Sequence, residues 1–119
     1  MKLSTTIKLP TYSCKLIVVV VDSVAIAAEK LYKKYKITDD FGGEAEGALL
    51  MPDLENYYLL IGNQFLTHNT IAHELYHAVV RITEDRDITD EEAQAWLVGH
   101  LTGEIYKFLD KKKLVIKHG

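Results

Sequence analysis

The sequence predicts an α+β domain: a small, mostly antiparallel sheet packed against three helices, one of them carrying a candidate zincin-like site. Three observations predict that class. Residues 16–21 (Leu-Ile-Val-Val-Val-Val) form a continuous apolar run rich in β-branched residues, as in a strand covered on both faces. Apolar residues recur at helical spacing in three later segments, near 24–35, 70–82 and 93–108. Between the first two of these, apolar runs at 48–51 and 57–61 flank Pro52-Asp53-Leu54-Glu55-Asn56, which reads as a β-hairpin.

Each element has a local reason. Residues 3–9 contain enough β-branched side chains for a weak strand, which Pro10 ends. The strong strand at 15–21 follows. Asp22 or Ser23 can then cap a helix running to about Tyr35, with Val24, Ala27, Ala28, Leu31 and Tyr35 on one face and Glu29, Lys30, Lys33 and Lys34 toward water. A turn is expected at 38–43, where Asp39, Asp40, Gly42 and Gly43 cluster. Thr67 or Asn69 can start the second helix, ending near Ile82 or Thr83. Thr89 is the expected N-cap of a third helix reaching about Asp110. The tail at 111–117 is expected to add a short strand or to fray.

Composition narrows the function classes. At 119 residues with 48% apolar content, the chain is read as one domain, 1–119, since domains most often hold about 100–150 residues. The lone Cys14 has no partner for an intramolecular disulfide, which favours a reducing, cytoplasmic setting. A net charge of −3 gives no general attraction to nucleic acid or anionic membrane. The lysines near the C-terminus and at 30–36 are read as solvated faces, so no nucleic-acid partner is expected. The apolar run at 16–21 is far short of the roughly 20 residues that a membrane span needs, and Lys8, Pro10 and Lys15 do not suit a secretory leader.

The chemistry concentrates in His73-Glu74-Leu75-Tyr76-His77, an H-E-x-x-H motif on the second predicted helix. Histidines four residues apart project from one helix face about 40° apart, so both rings can reach one zinc ion. Glu74 is placed to accept a proton from a metal-bound water. Ile71, Leu75, Ala78 and Ile82 fall on the opposite side and are assigned to the core.

A catalytic zinc needs a third protein ligand and an open position. On the third helix Glu92 heads a stripe of small residues, with Gly99 and Gly103 within about 20° of its direction at 100° per residue. Close approach of the second helix along that stripe would bring Glu92 to the metal. Glu91 points about 100° away and is the alternative; His100, about 80° off, is a weaker one. Leu97, Leu101, Ile105 and Phe108 are assigned to core, as is Trp96.

These residues resemble a known group. The segment from Thr70 to Val80, with 90–101 (Asp-Glu-Glu-Ala-Gln-Ala-Trp-Leu-Val-Gly-His-Leu), is similar to the small H-E-x-x-H proteins of phages and prophages, regarded as zinc metallopeptidases. More distantly it resembles the metallopeptidase domain of the ImmA/IrrE type, where a Glu-Ala pair on the following helix supplies the third ligand. The likeness covers about residues 68–108 and matches Glu92, which precedes Ala93, to that ligand position. It implies a zincin-like fold with a glutamate third ligand.

The expected function is therefore zinc-dependent hydrolysis of peptide bonds. His73, His77 and Glu92 bind Zn²⁺, Glu74 acts as general base toward a zinc-bound water, and Tyr76, His100, Tyr57 or Tyr58 steadies the oxyanion. If the strand at 57–61 lies at a sheet edge, it can hold an extended peptide by β-augmentation. The alternative is a zinc-binding interaction module of phage or prophage origin without turnover. With roughly 65 residues before the active-site helix and roughly 40 after it, there is no room for a second lobe. The site is then expected to be shallow, or completed by a second copy or by a host or phage protein.

Overall fold

The computed structural model describes residues 2–37 and 45–118. Its elements are β1 (Lys2–Leu9), β2 (Cys14–Val21), α1 (Val24–Lys34), β3 (Gly47–Leu50), β4 (Asn56–Gly62), α2 (His68–Glu84) and α3 (Glu91–Lys111). The expected turn at 38–43 lies outside the described residues. Together the elements form an α+β arrangement of three helices and a four-stranded sheet in the order β1-β2-β4-β3.

The sheet is mixed. β1 pairs antiparallel with β2 through the whole register Lys2↔Val21 to Leu9↔Cys14, and β3 pairs antiparallel with β4. Between them β2 and β4 run parallel, Lys15↔Asn56 to Val21↔Gly62. β4 is thus an interior strand, flanked on both sides, so the condition for strand addition at 57–61 is not met. Among the described residues, the outermost strand on that side is β3.

Helices cover both faces of the sheet, which explains the unbroken apolar runs of β2 and β4. On one face α1 packs against Val19, Val21, Tyr58 and Leu60; on the other, Leu16, Val18, Val20, Tyr57, Leu59 and Ile61 meet α2 and α3. From the helices, Ile71, Ala78, Ile82, Leu97, Leu101 and Ile105 are essentially inaccessible to water. Each such aliphatic side chain contributes about 1.5–3 kcal/mol of transfer free energy, alanine less. Trp96 departs from expectation: it is 56% exposed and stacks on His100 at a centroid distance of 5.0 Å. It lies outside the arc of α3 that the core residues occupy.

The helix ends are locally encoded. The Ser23 hydroxyl accepts from the Ile26 N–H, and the Thr67 hydroxyl from the Thr70 N–H. α3 is capped by Asp90, whose carboxylate accepts from the Glu92 N–H, one residue later than the expected Thr89. A carboxylate there also complements the positive end of the helix dipole. All three helices close alike: Lys36, Asp87 and Lys113 adopt positive φ, and the next N–H (Ile37, Ile88, Leu114) bonds back five residues to Tyr32, Thr83 and Leu109. That is the Schellman closure, made here without glycine and followed each time by an apolar residue. The tail forms neither a strand nor a helix; Lys117 makes an isolated bridge with Thr67, its N–H bonding to the Leu66 carbonyl at 2.8 Å. Among the described residues no helix is long and apolar enough to cross a membrane.

Candidate metal centre

α2 presents its motif as the spacing requires. Its apolar side (Ile71, Leu75, Ala78, Val79, Ile82) enters the core, while His73 and His77 stay exposed on the opposite side. One turn of helix brings the two rings together: their Nε2 atoms are 3.1 Å apart and their centroids 4.7 Å. Two nitrogens held 2.0–2.1 Å from a tetrahedral ion stand about 3.3 Å apart, so this pair is close to the spacing a zinc ion needs.

Glu74 differs from its neighbours by being buried. Its side chain is 9% exposed against 62% for His73, and its Oε2 lies 3.9 Å from His73 Nε2. Burial pushes the Glu74 carboxyl above its ordinary value; the two nearby histidines oppose that shift and Glu46 adds to it. The carboxyl borders a cavity of about 390 Å³ walled by Glu46 and Gly47 ahead of and within β3, by Thr67, Asn69 and Thr70 at the start of α2, and by His73. Gly47 is what permits the approach. A Cβ there would stand 2.6 Å from the Glu74 Cγ, closer than side-chain atoms tolerate.

Glu46 and Gly47 lie outside the H-E-x-x-H motif and its helical spacing. The available signal was a glycine opening an apolar strand run, a recurrent sign of close approach by another group.

The other expected residues are dispersed. Glu92 sits exposed in the first turn of α3. Among the described residues, no group of three or more His, Cys, Asp or Glu is placed to hold a metal, so the histidine pair and Glu74 are brought together without a third ligand. The small-residue stripe does not mediate close packing: nothing lies within 4 Å of where a Cβ on Gly99 or Gly103 would be. The helices meet instead through bulkier groups, among them His68, whose Nδ1 is 2.7 Å from the Tyr106 hydroxyl.

The tyrosines expected near the oxyanion are elsewhere. Tyr57 is fully buried and its hydroxyl donates to the Asp85 carboxylate at 2.6 Å, beyond the C-terminal end of α2. The Tyr58 hydroxyl meets that of Tyr35 at 2.7 Å beneath α1, on the other sheet face. Tyr76 is 64% exposed on α2, and His100 is occupied in stacking on Trp96.

Against known proteins, no family model matches this chain, and neither a curated protein nor a solved structure matches it.

Proposed function

We propose that the chain is a zinc-dependent peptidase domain of the zincin-like, glutamate-ligand kind, in which His73 and His77 hold the metal, Glu74 is the general base, and Glu92, which stands apart from the pair in this structure, is the third ligand once metal binds. The observation that carries this reading is the convergence of two imidazole Nε2 atoms to 3.1 Å beside a buried carboxyl. Zinc bound by that pair supplies Lewis acidity, lowering the pKa of water toward about 7 and polarising a carbonyl.

The chain's own residues supply positioning and proton transfer. Packing against Gly47 fixes Glu74 at the cavity wall, where its carboxylate takes the proton released by the attacking water and passes it to the departing amine. β3 begins at that same Gly47 and, among the described residues, pairs on one side only, so its backbone can hold an extended peptide substrate next to Glu74. The test is a pair of measurements on the protein purified without added metal. Wild type carries one equivalent of zinc and hydrolyses peptides; Glu74→Gln keeps the zinc and loses hydrolysis. A metal-free wild type, or a fully active Glu74→Gln, overturns the proposal.

One observation favours a second reading, a zinc-binding interaction module without turnover that engages a host or phage protein partner. His73 is 62% exposed, so the metal position is open to a partner's side chain as much as to a substrate. Stoichiometric zinc with no hydrolysis of any peptide pool, in wild type as in Glu74→Gln, selects that reading.

A further inference from the structure

Among the described residues the sheet ends in two edge strands, of which only β3 borders the candidate metal centre. The other is β1, eight residues paired with β2 along one side alone. Its register is continuous and contains no proline, so neither a bulge nor a missing donor blunts it. A regular edge strand leaves alternate N–H and C=O groups ready to pair with another extended chain. Three strand spacings of about 4.8 Å separate it from β3.

Two grooves that residues of β1 help to line hold more lysines than acids. On the α1 side, Lys2, Lys30 and Lys34 line a groove of about 570 Å³ with an apolar floor that includes Val19 and Leu60. On the α3 side, Lys107, Lys111 and Lys112 border Ser4–Ile7 of β1 in a groove of about 280 Å³. One acid faces each set, Asp22 and Glu104 respectively. The whole chain is nevertheless at −3, so the cationic edge is a local concentration.

Lysines beside an edge strand discourage pairing with a second copy, because two such edges repel each other. The same field attracts a chain of opposite charge. We propose that the β1 edge docks an extended acidic peptide segment of a partner protein, which adds to the sheet as a fifth strand. Side chains alternate across a strand, so consecutive acidic residues reach the α1-side and α3-side lysines in turn.

The probe is a capped heptapeptide, Thr-Glu-Glu-Val-Glu-Glu-Thr, titrated into the full chain and followed by amide chemical shifts. Shifts are expected along 2–9 and not along 47–50. Two further peptides carry N-methyl groups on one or the other set of alternate amides. One of them is expected to bind at least tenfold more weakly, because only one set faces β1. The exposed-site double variant Lys107→Glu/Lys111→Glu is expected to weaken the parent peptide at least tenfold, and His73→Ala to leave it unchanged. No binding by the parent peptide, equal binding by all three peptides, or an oligothymidylate that binds as tightly and moves the same amides overturns the proposal. The N-methyl comparison uses the wild-type chain, so it decides the matter even if the double variant misfolds.

Discussion

Gly47 and Glu74 are in register across the gap between β3 and α2: a Cβ on the glycine would lie 2.6 Å from the Glu74 Cγ and 3.0 Å from its Cδ. The same Cβ would also stand 3.0 Å from the Leu60 carbonyl oxygen, a backbone atom that yields less readily than a side chain. Because the Cγ is near the root of the side chain, Glu74 cannot yield by rotating its tip alone. Gly47→Ala is therefore expected to cost about 1–3 kcal/mol of stability, as overpacking does. It should also lower peptide hydrolysis at least tenfold while zinc content stays at the wild-type level. Denaturant unfolding, metal analysis and a peptide assay on one preparation check all three. Undiminished hydrolysis in a folded Gly47→Ala would show that the position of Glu74 is not critical.

At the far end of α2, Arg86 ties three segments together. Its guanidinium donates to the Tyr12 carbonyl, to the Tyr57 hydroxyl at 2.8 Å and to the Leu54 carbonyl at 2.7 Å. Tyr57 in turn donates to Asp85. Removing the guanidinium strips donors from two backbone carbonyls at once. Hydrogen bonds to charged groups are worth about 1.5–3 kcal/mol, so Arg86→Ala is expected to cost on the order of 3 kcal/mol. Arg86→Lys should recover only a minor part, since an ammonium lacks the planar fork that spans the three acceptors. Urea unfolding of both variants tests the point; full rescue by lysine would reduce the interaction to charge alone.

That network shows where local sequence stops being informative. The strands, the helices and the caps of α1 and α2 followed from alternation, helical spacing and Ser or Thr at helix starts, because those signals act within a few residues; the cap of α3 fell one residue later than expected, at Asp90. The apolar residue after each positive-φ closure at Lys36, Asp87 and Lys113 belongs to the same local code. The histidine pair was legible for the same reason, being one helical turn apart. By contrast, Arg86 and Tyr57 are 29 residues apart, and nothing near either names the other. The interior place of β4 depends on its parallel pairing with β2 across an intervening helix and strand, which turn signals do not encode. Trp96 was assigned inward on hydrophobicity, yet its direction on α3 was set by which arc met the sheet. The approach of Gly47 to Glu74 required knowing that β3 passes beside α2.

Titration at high pH gives an independent reading of the two buried tyrosines. Burial is the main cause that pushes Tyr57 and Tyr58 up to about 12, with Asp85 and Tyr35 respectively adding to it. An exposed tyrosine ionises near about 10. Between those values the folded chain retains protons that the unfolded chain has released. Their contribution is thus complete below about pH 10 and is lost as pH rises toward 12. Unfolding free energies from pH 8 to 11.5 are expected to decline over the upper part of that range. Tyr57→Phe, which leaves Tyr58 and Tyr106 (whose hydroxyl burial also pushes up), should decline less steeply; an identical slope would mean that Tyr57 ionises as freely in the fold as outside it.

Metal should act as a folding ligand if the histidine pair binds it. A ligand present at 100 times its dissociation constant stabilises the native state by about 2.7 kcal/mol, which for a domain of this size raises Tm by on the order of 10 °C. Wild type is expected to show that rise with zinc. His73→Ala and His77→Ala should not, because each leaves a single imidazole where two converge at 3.1 Å. Glu92→Ala separates the two histidines' share from that of the proposed third ligand. Glu92 lies in the first turn of α3 on an exposed side, so truncating it should leave the metal-free Tm nearly unchanged. Any loss of the zinc-dependent shift then reports ligation and not folding. Glu91→Ala, its neighbour in the same exposed turn, is expected to keep the full shift. The reverse pattern would transfer the ligand role to Glu91, and an undiminished shift in both histidine variants would remove the metal from α2 and the peptidase reading with it.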